Sequence, residues 1–584
     1  MRNKLTIGLL LLSLLSACAS ESDVIQETEE VTEVINDTET LSSISVEYKE
    51  DDLLMEYSEY EVVDLNTSSI SYNGSNAYVD GSTITITKEG VYKLSGTLTD
   101  GMIIVNTSQE EDVVLVLDNV KIHNEDGPAI SIMQADKVIV NLAEGSSNIL
   151  IDGTNYSLLA GEDEPNATLY SKDDLTINGL GTLNIESNYN HGIVTKDDLK
   201  LVSGVINVTS VNDGIKGKNY IAIKDATIII ASNGDGLQSN NTEDSTKGYI
   251  LVEGGKISIE SGLDGIQAET QLVITDGELS ITSGRLADST ESGKSLKASA
   301  SIEISNGTFN LTSESDDVIH SNNTVLIKGG EFSISAYDDA IHSDSVLQID
   351  SGVINILQSY EGLEGNNITI NGGDINLTSS DDGINTAGGN DGSGTQNGRN
   401  DMFADDGSTL TINGGNIRVN ANGDGLDSNG SITQNGGTVI VFGPTNNGNG
   451  SLDYNSSYTL NNGTLLAVGS NGMAQNVSES SIYSFLVGTD TVQANTWVSI
   501  VQDNQTLISF NSPKAFQTIV YASNELKAGT VQVLSNTNIV SEESVVFDSS
   551  NVSGSEQLSF SLNSIITTQN TGGSQTPGQR PTRP

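Results

Sequence analysis

The segment SSDDGINTAGG, Ser379 to Gly389, sets two adjacent aspartates before a glycine and an isoleucine. The phrase keeps returning. An acid takes the same place at Asp213, Asp235, Asp264, Asp317, Asp339, Glu361, Asp382 and Asp424, most often 22 residues after the last. Asp316, Asp338 and Asp381 double the charge at three of these points. If the repeats stack, successive carboxylates lie roughly 5 Å apart, and each pair repels by about 3 kcal/mol at an effective dielectric near 20. Solvation, raised pKa values or bound cations can relieve this. Hard oxygen donors in such number suit Ca²⁺, which accepts carboxylates and the carbonyls of tight turns. The glycine after the acid (Gly214, Gly236, Gly265, Gly362, Gly383, Gly425) is expected to take positive φ and turn a carbonyl towards the ion. A single Asp-Gly is only turn chemistry. The pattern matches neither the EF-hand loop nor the calcium nonapeptide repeat, so the ligand set is not legible.

His320 and His342 also stand 22 residues apart, and Glu364 continues their series. A transition metal there is a weaker reading than two surface histidines.

Strands must hold these corners. GGKISIESGLDGIQAETQLVI from Gly254 and GGEFSISAYDDAIHSDSVLQI from Gly329 each give a glycine turn, a strand, an acidic corner, a short strand, another corner and a third strand. Apolar residues obey period two in each strand, as in Ile257/Ile259 and Leu272/Ile274. One unit cannot bury these side chains, but a stack of units can. The expected fold is all-β: a right-handed parallel β-helix with three-strand coils of about 22 residues. A propeller needs units nearly twice as long. A degenerate coil is expected near Ser295-Leu296-Lys297, with Lys297 in place of the acid.

The expected division is a signal peptide over 1–17, an acidic tether over 18–45, an N-terminal β cap with first coils over 46–150 and the regular β-helix over 151–477. A small C-terminal antiparallel β-module over 478–550, with Trp497 in its core, and a disordered tail over 551–584 follow. Arg2 and Lys4 precede an apolar run and Leu15-Ser16-Ala17-Cys18, which resembles a lipobox with Cys18 as the lipidated residue. The run is too short to span a membrane. The expected location is therefore extracytoplasmic, with the bacterial membrane reached only through the lipid anchor.

The formal charge is −53, from 78 acidic and 25 basic residues, which excludes nucleic acid as a partner. No Ser/His/Asp, HExxH or phosphate-loop pattern occurs, and no catalytic residue is assigned. A calcium-dependent polysaccharide lyase would need a basic residue beside the ion, and Lys216 and Lys297 are the nearest candidates. Tyr189, Tyr337 and Tyr360 lie one or two residues before the corner position, acidic after Tyr337 and Tyr360, and can offer flat faces to sugar rings. The insertion Asn385 to Asp406 adds Phe403 on a long loop.

The stretches SYEGLEGNNITINGGDINLTSSDDGINTAGG, NGDGLDSNGSI and KLSGTLTDGMIIVN resemble a family of bacterial surface carbohydrate-binding lipoproteins, over roughly residues 80 to 475. The resemblance implies a right-handed parallel β-helix like that of polysaccharide lyases, Ca²⁺ at corner aspartates, and binding of cellulose- or polygalacturonate-like plant polysaccharide. Carried onto this chain it supports Asp316, Asp317, Asp338, Asp339, Asp381, Asp382, Asp424 and Asp427 as ligands. Asn190 and His191 depart from the pattern in an early coil. The expected protein is a calcium-loaded, polysaccharide-binding monomer. A pectate-type lyase and a non-catalytic adhesin or spacer are the alternatives.

Overall fold

The computed structural model describes residues 44–158, 161, 163–286, 291–386, 405–547 and 552–569. Cys18, most of the tether and Phe403 lie outside them.

The regular repeats form a parallel β-helix. Each coil contributes a first strand such as Lys256–Ser261, a short strand such as Ile266–Ala268 and a third strand such as Gln271–Ile274. Each pairs in parallel with its counterpart one coil on. Ile257 thus faces Leu279, Ile266 faces Leu296, and Leu272 faces Ile302. Alternate side chains point inward, so like residues stack into one continuous core; Ile215, Leu237, Ile266, Leu296, Ile319, Ile341, Leu363, Ile384 and Leu426 are all fully buried.

The ends are closed differently. The first coils carry two antiparallel hairpins, Glu61–Thr67 with Ile70–Tyr72 and Ala77–Asp80 with Thr83–Ile86. Ahead of them, Asp52 is fully buried. It lies 3.0 Å from Lys200 Nζ, and its Oδ1 accepts a 2.8 Å hydrogen bond from Thr176, pinning the chain to the third-strand face. At the other end Thr464–Gly469 pairs antiparallel with Phe516–Ala522, which ends the parallel stack and covers its open edge.

Beyond the stack a second sheet has the strand order Val545–Phe547, Gln505–Asn511, Trp497–Gln502, Gly529–Ser535, Ser555–Leu562. The antiparallel module is therefore present, but it does not stop at residue 550. Ser555–Leu562 supplies an edge strand, and Ile566–Gln569 pairs with Ser484–Val492. Part of the expected tail is thus folded, because its alternation of polar residues with Phe560 and Leu562 buries an apolar face. Trp497 is only half-buried, and Val498, Ile500 and Phe510 form the module's core instead.

Candidate functional site

Strand register places the corner acids in one column. It runs His191, Asp213, Asp235, Asp264, Lys294, Asp317, Asp339, Glu361, Asp382, Asp424, Gly450. Three residues on, a strand column runs Lys216, Gln238, Gln267, Lys297, His320, His342, Glu364, Asn385, Asp427, Asp453. Lys294, not Lys297, therefore holds the acid's place in the degenerate coil.

The corner carboxylates have a structural task. One oxygen of each corner aspartate accepts the backbone N–H of the corner residue one coil on, whereas Glu361 accepts the Asn385 side-chain amide at 2.8 Å. The Asp235 amide donates to Asp213 at 3.0 Å, Asp264 to Asp235 at 3.0 Å, Lys294 to Asp264 at 2.8 Å, Asp339 to Asp317 at 3.0 Å and Glu361 to Asp339 at 3.1 Å. Asp424 donates to Asp382 at 2.6 Å. The other oxygen faces the strand column: Asp213 meets Lys216 at 2.6 Å, Asp235 meets Gln238 at 2.5 Å, Asp264 meets Lys297 at 2.9 Å and Asp317 meets His320 at 2.8 Å. Bonds of this kind give the corner aspartates a structural role that needs no ion.

The glycine after the acid is needed for space. Its φ is not in the left-handed region at any of the six corners. A Cβ at Gly214 would lie 2.6 Å from the Gly236 carbonyl oxygen and 2.6 Å from Ile230 Cγ2. Adjacent coils simply come too close there for a side chain.

Cations fill several of the earlier corners, but Asp235 faces Gln238, and burial, then Asp264 and Asp213, push its carboxyl up to about 7. Lys294 Nζ lies 2.5 Å from Asp316 and 3.4 Å from Asp317, which neutralises that doubled corner. Burial works to raise the Asp213 carboxyl, but the His191 hydrogen bond and the Lys216 ammonium outweigh it and hold the group at about 2. Beyond His342 the two columns hold Glu361, Glu364, Asp382, Asp424, Asp427 and Asp453, and no basic side chain. Burial, then neighbouring carboxylates, push Glu361 up to about 9 and Asp424 to about 7. Asp382 rises to about 6 and Asp427 well above its usual range for the same reason.

Ligand atoms of Asp382, Asp424 and Asp427 all lie within 4.8 Å of one another. Asn385, paired in register with Asp427, has a buried Oδ1 without a hydrogen-bond partner. This all-oxygen set with an orphaned acceptor fits a hard divalent cation. Asp427 enters it from the strand column, so spacing from the corner acids alone does not find it. Asp338 and Asp381 lie one residue before the corner column, with Tyr360 between them in the stack.

The tyrosines diverge. Tyr337 is 71% exposed and Tyr360 40% exposed, both beside the acid columns. The Asp381 carboxylate accepts the Tyr360 hydroxyl and holds its pKa up. Tyr189 instead stacks on Tyr156 with ring centroids 4.1 Å apart and is half-buried.

A second concavity is formed where the C-terminal module meets the first-strand face. It encloses about 450 Å³ and is lined by Asn355, Leu357, Asn376, Arg418, Asn420, Phe442, Trp497, Asn511, Pro513 and the segment 541–544. Three buried polar atoms in it have no hydrogen-bond partner: Arg418 Nε, Asn420 Oδ1 and Asn511 Oδ1. Buried polar atoms are rarely left unpaired without a reason. Strand periodicity gives no hint of this cleft, since its walls are up to 189 residues apart in the chain (Asn355 to Ser544).

A family model described as "Carbohydrate-binding domain-containing protein" matches residues 80–340 and 333–511. The chain belongs to that family. A carbohydrate-binding domain-containing protein of Acetivibrio thermocellus is 45% identical over 126 residues, which is 21% of this chain and 44% of that relative. The chain thus spans less than half the length of the curated relative. A solved structure titled "Structure of the polysaccharide lyase-like protein from C. thermocellum, Gadolinium derivative" is similar at 34% identity, over 42% of this chain and 97% of its own, with a TM-score of 0.40.

Proposed function

We propose that this protein is an extracytoplasmic, lipid-anchored binder of plant cell-wall polysaccharide whose glycan seat is the Trp497 cleft. The observation that carries the reading is the set of three unpartnered buried atoms beside the chain's only tryptophan. Arg418 Nε–H seeks an acceptor, and the two asparagine oxygens seek donors. A sugar ring offers both, through ring or carboxylate oxygens and through hydroxyl groups. Trp497 adds flat apolar surface of the kind sugars pack against. The volume lies in the usual range for ligand pockets, roughly 300–1,000 Å³.

Calcium belongs to the same proposal. Asp382, Asp424 and Asp427 would hold it. Bound there, it would neutralise the stretch beyond His342, where the two columns carry no basic side chain. This would also let a strongly acidic protein meet an acidic polymer. The lyase alternative gains no support from the two lysines, since Lys216 and Lys297 are each ion-paired with a corner aspartate.

Because Trp497 is the sole tryptophan, its intrinsic fluorescence reports the cleft alone. The test is titration with cello- and galacturono-oligosaccharides, with calcium and with chelator, while unsaturated product is monitored. A saturable fluorescence change without product, weakened at least tenfold by Arg418→Gln, is expected. Retention on insoluble polysaccharide with a silent tryptophan would move the seat to the tyrosines. Accumulating product would make the protein a lyase.

A further inference from the structure

We infer that His320, His342 and the carboxylates around them form a binding site for a zinc-class divalent metal, separate from the calcium position proposed at Asp382, Asp424 and Asp427. Three consecutive coils build it. Asp317 and Asp339 come from the corner column; His320, His342 and Glu364 come from the strand column, in direct register. All except His320 are at least nine-tenths buried.

The ligand atoms converge on the two imidazole Nδ1 positions. His320 Nδ1 lies 2.8 Å from Asp317 Oδ2. His342 Nδ1 lies 3.1 Å from Glu364 Oε2, 3.5 Å from Asp339 Oδ2 and 3.7 Å from Asp317 Oδ2. Zinc takes nitrogen and oxygen ligands at about 2.1 Å in a tetrahedron, whose ligand atoms are then about 3.4 Å apart. The observed separations bracket that value. Their rings pack edge to face with centroids 4.7 Å apart, and the ligand atoms of Asp317, His320 and His342, and likewise those of Asp339, His342 and Glu364, lie within 4.8 Å of one another, with His342 common to both triads.

The outer nitrogens point to the same state. His320 Nε2 lies 3.2 Å from Asn322 Oδ1, and His342 Nε2 lies 3.4 Å from Asp344 Oδ1. His320 thus has an acceptor two residues on, opposite the cluster, whereas the buried His342 Nε2 forms no hydrogen bond. Metal-bound histidines characteristically present their outer N–H to such a carbonyl or carboxylate, which fixes the tautomer and leaves Nδ1 free for the ion. A metal seated at Nδ1 would leave the imidazole proton on Nε2 and would be met by the carboxylates in their ionised form. Lys294 touches Asp317 from the preceding coil but no other member, so its charge leaves His342, Asp339 and Glu364 without a cation. Imidazole nitrogen selects zinc-class ions over calcium.

The test uses the purified protein, stripped with chelator and returned to excess Ca²⁺, then titrated with Co²⁺ and Zn²⁺. One equivalent of Co²⁺ should give a tetrahedral ligand-field absorption that Zn²⁺ abolishes. His320→Ala and His342→Ala should each weaken Zn²⁺ binding at least about 100-fold, and Asn322→Ala about tenfold. His123→Ala, outside the cluster, should change nothing. If His342→Ala does not fold, His320→Gln still tests the site, since that side chain is 14% exposed. Equal Zn²⁺ binding by the His320 variants, or no saturable uptake beside calcium, would overturn the inference.

Discussion

Lys294 Nζ sits 2.5 Å from Asp316 Oδ1, reaching across one coil to the corner where two aspartates adjoin. The ammonium is largely buried, and the carboxylates raise its pKa against the opposing pull of desolvation. Its removal takes the cation from Asp316 and leaves Asp317 with only the Asp339 amide and His320 as hydrogen-bond partners. Lys294→Met is expected to destabilise the protein by about 3 kcal/mol, the usual scale for breaking one side of a buried pair. Urea unfolding of variant and parent measures it. A change below about 0.5 kcal/mol would mean that the pair behaves as a surface contact.

Gly214→Ala tests the role of the corner glycine. A methyl group there overlaps the backbone of the next coil, which cannot move without shifting the whole stack. A loss of about 2–4 kcal/mol is expected, from overpacking against backbone. Circular dichroism melts give the value. A neutral outcome would show that coils can spread locally.

The repeat, its core residues and the acid column were legible because period-two strands with a 22-residue return leave few alternatives. What the acids do was less legible. Repulsion between Asp317 and Asp339 pointed to an ion, whereas the Asp339 backbone N–H itself takes up one Asp317 oxygen. Hydrogen bonds of that sort follow from register, not from composition. Lys294 was passed over for Lys297, although Lys294-Ser295-Leu296 aligns with Asp264-Gly265-Ile266 once serine is accepted in the glycine's place. The Trp497 cleft depends on how the antiparallel module docks, and no periodicity encodes that.

The tyrosines should separate by role. Tyr337→Ala removes an exposed ring and should leave stability within about 0.5 kcal/mol. Tyr189→Ala loses the stack on Tyr156 and should cost about 1–2 kcal/mol. Thermal melts decide this. If Tyr337→Ala also weakens retention on polysaccharide while Trp497 fluorescence still responds, the protein has two glycan contacts.

The uncompensated end of the columns makes stability depend on pH in an unusual direction. Asp382, Asp424 and Glu361 have folded-state values of about 6, 7 and 9, all above their unfolded values. Between about pH 4 and those values the native state binds more protons than the unfolded state, so stability falls as pH rises. Asp213, held at about 2, acts oppositely: its contribution is complete above about pH 4 and is lost as the pH falls towards 2. The chelated protein should therefore be most stable near pH 4–5 and lose several kcal/mol by pH 8, up to roughly 10 kcal/mol if the three groups titrate independently. Calcium binds the ionised carboxylates, so its stabilising effect should grow over the same interval and flatten the decline. Denaturant titrations at pH 5 and pH 8, with calcium and with chelator, measure all four states. Chelated protein that is more stable at pH 8 than at pH 5 would mean that these carboxylates are ionised and solvated without an ion, and the case for calcium at Asp382, Asp424 and Asp427 would fail.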